Sequence, residues 1–201
     1  MKPHVFDATL GPRNGKAVIG TRIKLGDSQK IVAIAKKHGV KVVKESQSAM
    51  EAALIWKGRK SAFGATGRIA DYICMDGTIP TGKLPLVLQR MDEIVKRHGL
   101  RVANVFHAGD GNLHPLILYN CNDPVEQEKA EEAGNEILKL CVDVGGCLTG
   151  EHGVGIEKRD LMTHQFHQRD LEQQMRVRAV FDPPWLLNPA KVFPLDGRVS
   201  A

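Results

Sequence analysis

The segment His107-Ala-Gly-Asp-Gly-Asn-Leu-His114 places two imidazoles at the ends of a short glycine-rich loop. Val102 to Phe106 before it and Pro115 to Tyr119 after it read as strands. One histidine therefore ends a strand and the other begins the next. Gly109 and Gly111 let the backbone between them turn tightly. Two imidazoles on adjoining strands can converge on one ion, and they offer borderline nitrogen donors suited to Zn, Fe or Mn. A catalytic ion commonly takes three protein ligands and keeps a position open. Glu151, in Gly150-Glu-His-Gly-Val-Gly155, is a candidate for the third: a hard oxygen donor on a loop flexible enough to approach the hairpin. Two histidines and a carboxylate with an open position can polarise a substrate oxygen. His152 beside it would be a neighbouring base, since an imidazole titrates near neutrality.

Plainer readings stand beside these. Any one of the histidines taken singly is as readily a hydrogen-bonded surface or core residue, and the glycines could serve turns alone, so spacing leaves both readings open. A phosphate loop at 150–155 is a weaker alternative, because no Walker or Rossmann spacing surrounds it. His38, His98, His164 and His167 look ordinary. In Trp56-Lys-Gly-Arg-Lys60, Arg59 could grip a carboxylate through its planar fork. Three cations at a helix C-terminus also simply suit the helix dipole, and the residues alone favour that reading. Asn188-Pro-Ala-Lys-Val-Phe-Pro194 is, as composition, a proline-rich tail able to lie across a partner surface.

The elements that must position these groups are legible in outline. Residues 1–27 show no sustained period and are read as a leader of uncertain structure. A helix beginning at Asp27 or Ser28 carries Ile31, Val32, Ile34 and Ala35 and stops at His38-Gly39. Val40 to Val43 is a strand. Ser48-Ala-Met-Glu51 is a capping box opening a helix that runs towards Phe63. Tyr72 to Ile79 reads as a strand closed by Pro80. Leu84, Val87, Leu88, Met91, Ile94 and Val95 recur at helical spacing up to His98-Gly99. Asp123-Pro124 caps a long helix with Ala130, Ala133, Ile137, Cys141 and Val144 on one face, ended by Gly145-Gly146. Two short polar helices follow, up to Val180, and the tail from Phe181 to Pro194 is read as extended. Helices and strands alternate around a central strand-loop-strand hairpin. That predicts an α+β fold, an antiparallel sheet with helices on one face.

Bulk properties narrow the function. The 201 residues, 42% hydrophobic and 25% charged, suit an ordinary domain. Two Trp and two Tyr are thin for a nucleic-acid stacking platform, and the net charge of +5 is spread without a basic stripe. A mild positive excess fits a small acidic substrate or an acidic partner. Cys74, Cys121, Cys141 and Cys147 form no C-x-x-C pair and read as reduced thiols of a cytoplasmic protein. No apolar run approaches the roughly 20 residues of a membrane helix.

Taken together, Trp56 to Lys60, Met75-Asp-Gly-Thr-Ile-Pro80, His107 to Pro115, Gly150 to Gly155 and Asn188 to Pro194 resemble the C-terminal domain of FAD-linked 2-hydroxy-acid oxidases. The likeness is strongest to the glycolate-oxidase type, within the vanillyl-alcohol oxidase superfamily. It covers residues 28–195, with 196–201 left as a short tail. It implies a ferredoxin-like cap, incomplete at its N-terminus, facing a flavin whose FAD is bound mainly by another domain or subunit. By the same likeness His107, His114 and Glu151 bind a divalent metal, His152 is the catalytic base, Arg59 holds the substrate carboxylate, and Asn188 and Lys191 lie near the flavin. An iron–sulfur electron-transfer subunit is an implied partner. The location implied is cytoplasmic, at the inner face of a membrane through partners.

Two departures bear on substrate. Relatives acting on 2-hydroxyglutarate carry a polar residue where this chain has Leu116, and a lysine where it has Cys74. Both changes remove partners for a second carboxylate, so a small monocarboxylate such as glycolate or D-lactate is expected. The isolated chain is expected to be inactive. A non-catalytic module binding metal and hydroxy acid, and a fragment that folds only with a partner, are the competing expectations.

Overall fold

The computed structural model describes residues 4–10, 17–23 and 27–195. They divide into two compact units, with the boundary between Ala65 and Thr66. In the first, β1 (His4–Leu10) and β2 (Ala17–Ile23) precede α1 (Ser28–Lys37), β3 (Val40–Glu45) and α2 (Ala49–Lys60). The sheet is antiparallel in the order β2-β1-β3. Part of the segment read as a leader therefore pairs as strands; positions 1–3, 11–16 and 24–26, like the tail 196–201, lie outside the described residues. The Ser48 hydroxyl caps α2 by accepting from the Glu51 amide at 3.1 Å. The Glu51 carboxylate reaches back one residue further than a capping box requires, to the Gln47 amide at 2.8 Å. The helix stops at Lys60, and a separate short helix, α3 (Ala62–Thr66), takes the place of its expected extension to Phe63.

The second unit contains β4 (Asp71–Cys74), α4 (Leu84–Arg97), β5 (Arg101–Asn104), β6 (Pro115–Tyr119), α5 (Pro124–Asp143), α6 (Met162–Gln165) and α7 (Gln168–Phe181). Its sheet runs β4-β6-β5, with both neighbours antiparallel to β6. The α+β reading holds here: helices pack on one face of an antiparallel sheet. Val87, Met91, Ile94 and Val95 form the buried stripe of α4 at helical spacing. Ala130, Ala133, Ile137 and Cys141 do the same for α5, whose start is fixed by Asp123 accepting from the Val125 amide at 2.9 Å. Both stripes close on Ile73, Val102 and Ile117 of the sheet. Fully burying each large apolar side chain contributes about 1.5–3 kcal/mol.

Register then decides where the chemistry sits. Ile73 and Val102 both pair with Ile117 and share its helix-facing side. Cys74 pairs with Leu116, so side-chain alternation puts Cys74, Leu116 and His114 on the opposite face.

Two sequence expectations are corrected. The strand expected over 72–79 ends at Cys74. Beyond it the chain leaves the ladder because Asp76 is fully buried and takes partners that no strand neighbour supplies. The tail is not extended. Trp185, Asn188, Ala190 and Val192 all have φ between 46° and 72°, which breaks it into turns. The Asp182 carboxylate drives the first by accepting from the amides of Leu186 (3.0 Å) and Leu187 (2.9 Å). Trp185 then packs between the Arg178 guanidinium, 4.4 Å from its ring centroid, and the Phe193 ring at 5.9 Å. No helix among the described residues is long and apolar enough to cross a membrane.

Candidate active site

The hairpin between β5 and β6 sets the first two groups. The His107 amide donates to the Asn112 carbonyl at 3.0 Å, and the Asp110 amide to the His107 carbonyl at 2.9 Å, closing a tight turn. Gly111 has φ +74°, and a β-carbon there would run into the Ile79 carbonyl, so only glycine fits. The turn brings the His107 and His114 rings edge to face with centroids 5.3 Å apart. His114 is buried; His107 is exposed.

The second loop is held from below by Asp76. Its carboxylate accepts from the Thr149 hydroxyl (2.6 Å), from the amides of Gly150 (3.0 Å), Glu151 (3.1 Å) and His152 (2.9 Å), and from the Lys158 ammonium (3.3 Å). Burial pushes this carboxyl up, but the Thr149 hydroxyl, the His152 and Glu151 amides and the Lys158 charge together hold it well below the ordinary carboxylate range. All five contacts fall on Oδ2, so that oxygen supports the loop, while Oδ1 takes only a longer contact from the Glu151 amide (3.3 Å) and lies 3.8 Å from His114 Nδ1.

Glu151 and His152 are thereby presented to the hairpin. Glu151 Oε1 lies 2.9 Å from His114 Nε2, 3.8 Å from His107 Nε2 and 3.8 Å from His152 Nε2. The His152 ring stacks on His114 at 5.0 Å with a 12° interplanar angle. Three imidazoles thus surround one carboxylate oxygen, and four of the residues expected from sequence come together. Two groupings have all their donor atoms within 4.8 Å of one another: Asp76, His114, Glu151 and His152; and Cys74, His114 and His152. His107 stands outside both and meets the cluster through Glu151. Nitrogen and carboxylate donors converging in this way fit a divalent ion of the borderline class.

The other expected residues sit elsewhere. Arg59 is half-buried in the last turn of α2, in the first unit. Asn188 is exposed on the tail, and Lys191 donates to the Pro189 carbonyl at 3.3 Å. The tail is tied to the second loop: the Val192 amide donates to the Gly155 carbonyl at 2.9 Å, and Arg159 donates to the Ala190 carbonyl at 3.0 Å. Sequence reasoning noted Asp76 within a motif but assigned it no role, and it passed over Thr149 and Lys158. No local signal marks Lys158, whose partner is 82 positions away. Two of the histidines read as ordinary are hydrogen-bonded to carboxylates: His98 to Glu136 and His164 to Asp143, each at 2.8 Å.

Comparison with known proteins gives the family. Residues 20–192 match the family described as FAD linked oxidases, C-terminal domain. The chain is 50% identical over 169 residues to the glycolate oxidase subunit GlcD of Escherichia coli (strain K12), covering 84% of this chain and 34% of that protein. It is 33% identical over 173 residues to the Bacillus subtilis (strain 168) protein of the same name, covering 86% and 37%. It is 35% identical over 150 residues to a mitochondrial D-lactate dehydrogenase [cytochrome] of Kluyveromyces lactis, covering 71% and 25%. The chain therefore spans about a third of the length of the curated relatives it matches. With its antiparallel sheet, its helix layer and its histidine–carboxylate cluster, the chain belongs to the FAD linked oxidase C-terminal domain family.

Proposed function

We propose that this chain is the substrate- and flavin-facing domain of an FAD-dependent oxidoreductase that converts a small 2-hydroxy acid, glycolate or D-lactate, to its 2-oxo acid. The observation that carries the reading is the set of three imidazoles within 3.8 Å of Glu151 Oε1. A divalent ion held by His107, His114 and Glu151 would supply Lewis acidity that lowers the pKa of the substrate hydroxyl. FAD, bound chiefly by another domain or subunit, would supply the hydride acceptor at N5.

The chain's own residues do the rest. Arg59 engages the substrate carboxylate through two parallel N–H donors. His152 takes the hydroxyl proton on its ring nitrogen, with its backbone fixed by Asp76. Asn188 and Lys191 contact the flavin from the tail. Leu116 and Cys74 offer no cation to a second carboxylate, which supports a monocarboxylate substrate. An iron–sulfur subunit taking electrons onward, and a cytoplasmic site on the inner membrane face reached through partners, belong to the same proposal.

The test is a chimera in which this chain replaces the matching 169 residues of the Escherichia coli relative. Turnover of glycolate or D-lactate is expected, with kcat lowered about 10²–10⁴-fold in His152→Ala. Preference for 2-hydroxyglutarate would overturn the substrate assignment. Turnover by the 201-residue chain alone with added FAD would overturn the need for a partner.

A further inference from the structure

A second donor set overlaps the working one. Cys74 is the last residue of β4 and pairs with Leu116 of β6. His114 lies two positions before Leu116, so Cys74 and His114 are diagonal neighbours on one sheet face. His152 stacks on His114 from the second loop. The Cys74 sulfur and one ring nitrogen from each histidine all lie within 4.8 Å of one another. Among the described residues the thiol has only a weak hydrogen bond, to the Met75 carbonyl at 3.5 Å.

We propose that Cys74, His114 and His152 form a seat for a thiophilic divalent cation such as Zn²⁺ or Cd²⁺. One sulfur and two imidazole nitrogens are the soft and borderline donors that select such ions over Mn²⁺ or Mg²⁺. The metal–sulfur distance of about 2.3 Å and metal–nitrogen distances of about 2.0–2.1 Å require these atoms to close inwards slightly from where they stand. As the metal–sulfur bond forms, the thiol proton leaves to solvent. The seat shares His114 with the proposed catalytic ion and uses the ring nitrogen of His152. An ion held here therefore ties up the proposed base and competes with the proposed catalytic ion for His114. This deepens the functional reading above and rests on it for the role of His152.

The experiment is a Co²⁺ and Cd²⁺ titration of the 201-residue chain, followed by absorbance, with bound metal counted by equilibrium dialysis. A sulfur-to-cobalt charge-transfer band is expected in the wild type and in Cys147→Ser, and not in Cys74→Ser. Cd²⁺ affinity should fall more than about tenfold in Cys74→Ser, a loss that even outer-shell substitutions reach, while Mn²⁺ affinity stays the same. Bound Co²⁺ without a sulfur band in the wild type, or a band that survives in a folded Cys74→Ser, overturns the thiolate seat and leaves the histidine–carboxylate site standing. A folded chain that binds neither Co²⁺ nor Mn²⁺ overturns both. The wild-type band decides the matter even if the variant fails to fold.

Discussion

The Asp76 carboxylate sits 2.9 Å from the backbone amide of His152, and through that bond a fully buried acid holds the residue proposed as base. The same carboxylate pairs with the buried ammonium of Lys158 at 3.3 Å. Removing one partner of such a pair strands the other. Asp76→Ala is expected to cost about 3–5 kcal/mol of stability, measured by urea unfolding. The double variant Asp76→Asn/Lys158→Met should recover part of that loss; a cost below about 1 kcal/mol for Asp76→Ala would mean the pair is incidental.

Gly150 carries no side chain where one would collide. A β-carbon there would lie 2.7 Å from Asn112 Oδ1 and 2.8 Å from Thr78 Cγ2. Gly150→Ala should destabilise by about 1–3 kcal/mol in thermal melts and move the Glu151 amide off Asp76. Gly153→Ala faces no neighbour within 4 Å but has φ +83°, so any loss there reports backbone strain alone.

His114 is buried between Glu151 and Asp76, whereas His107 is exposed and reaches the cluster through Glu151 at 3.8 Å. His114→Ala is expected to abolish retention of Mn²⁺ or Zn²⁺, counted by mass spectrometry. His107→Ala removes a proposed ligand on the exposed side of the site and should weaken retention by at least about tenfold. Unchanged retention in His107→Ala would remove His107 from the ligand set.

Acid should release the tail. Burial pushes the Asp182 carboxyl up, but the Leu187 and Leu186 amides and the Arg178 guanidinium hold it below the ordinary range. A depressed folded pKa contributes stability that is present above the unfolded value and is lost as pH falls through the folded one. In a Trp56→Phe background, Trp185 fluorescence should therefore stay constant from neutrality down to the ordinary carboxylate range and change only below it. Asp182→Asn should show the released signal at neutral pH.

Arg59 is the proposed carboxylate clamp. In the chimera, Arg59→Met should raise KM for glycolate by roughly tenfold to a hundredfold, the equivalent of about 1.5–3 kcal/mol for a hydrogen bond to a charged group. A fall in kcat with KM unchanged would point instead to a role in the chemical step.

Much of the fold could be read from single residues. The apolar stripe from Leu84 to Val95, the Asp123-Pro124 start of α5 and the His38-Gly39 and His98-Gly99 stops are local signals, and the helices begin and end where they say. The strand expected to run to Ile79 and the tail expected to be extended were misread for one reason. In both, a buried carboxylate, Asp76 or Asp182, gathers backbone amides, and this bends the chain where composition shows only apolar or proline-rich residues.

The sequence by itself determined which groups are available: two histidines flanking a turn that only glycine can make, and a Glu-His pair on a loop about 40 positions later. Residue type and short-range backbone geometry are enough for that. The tertiary structure alone decided how they meet. The antiparallel register of β4 and β6 places Cys74 beside His114, and the Asp76–Lys158 contact spans 82 positions to aim Glu151 at the hairpin. Those relationships depend on long-range pairing and on a buried charge finding its partner, which no local window contains.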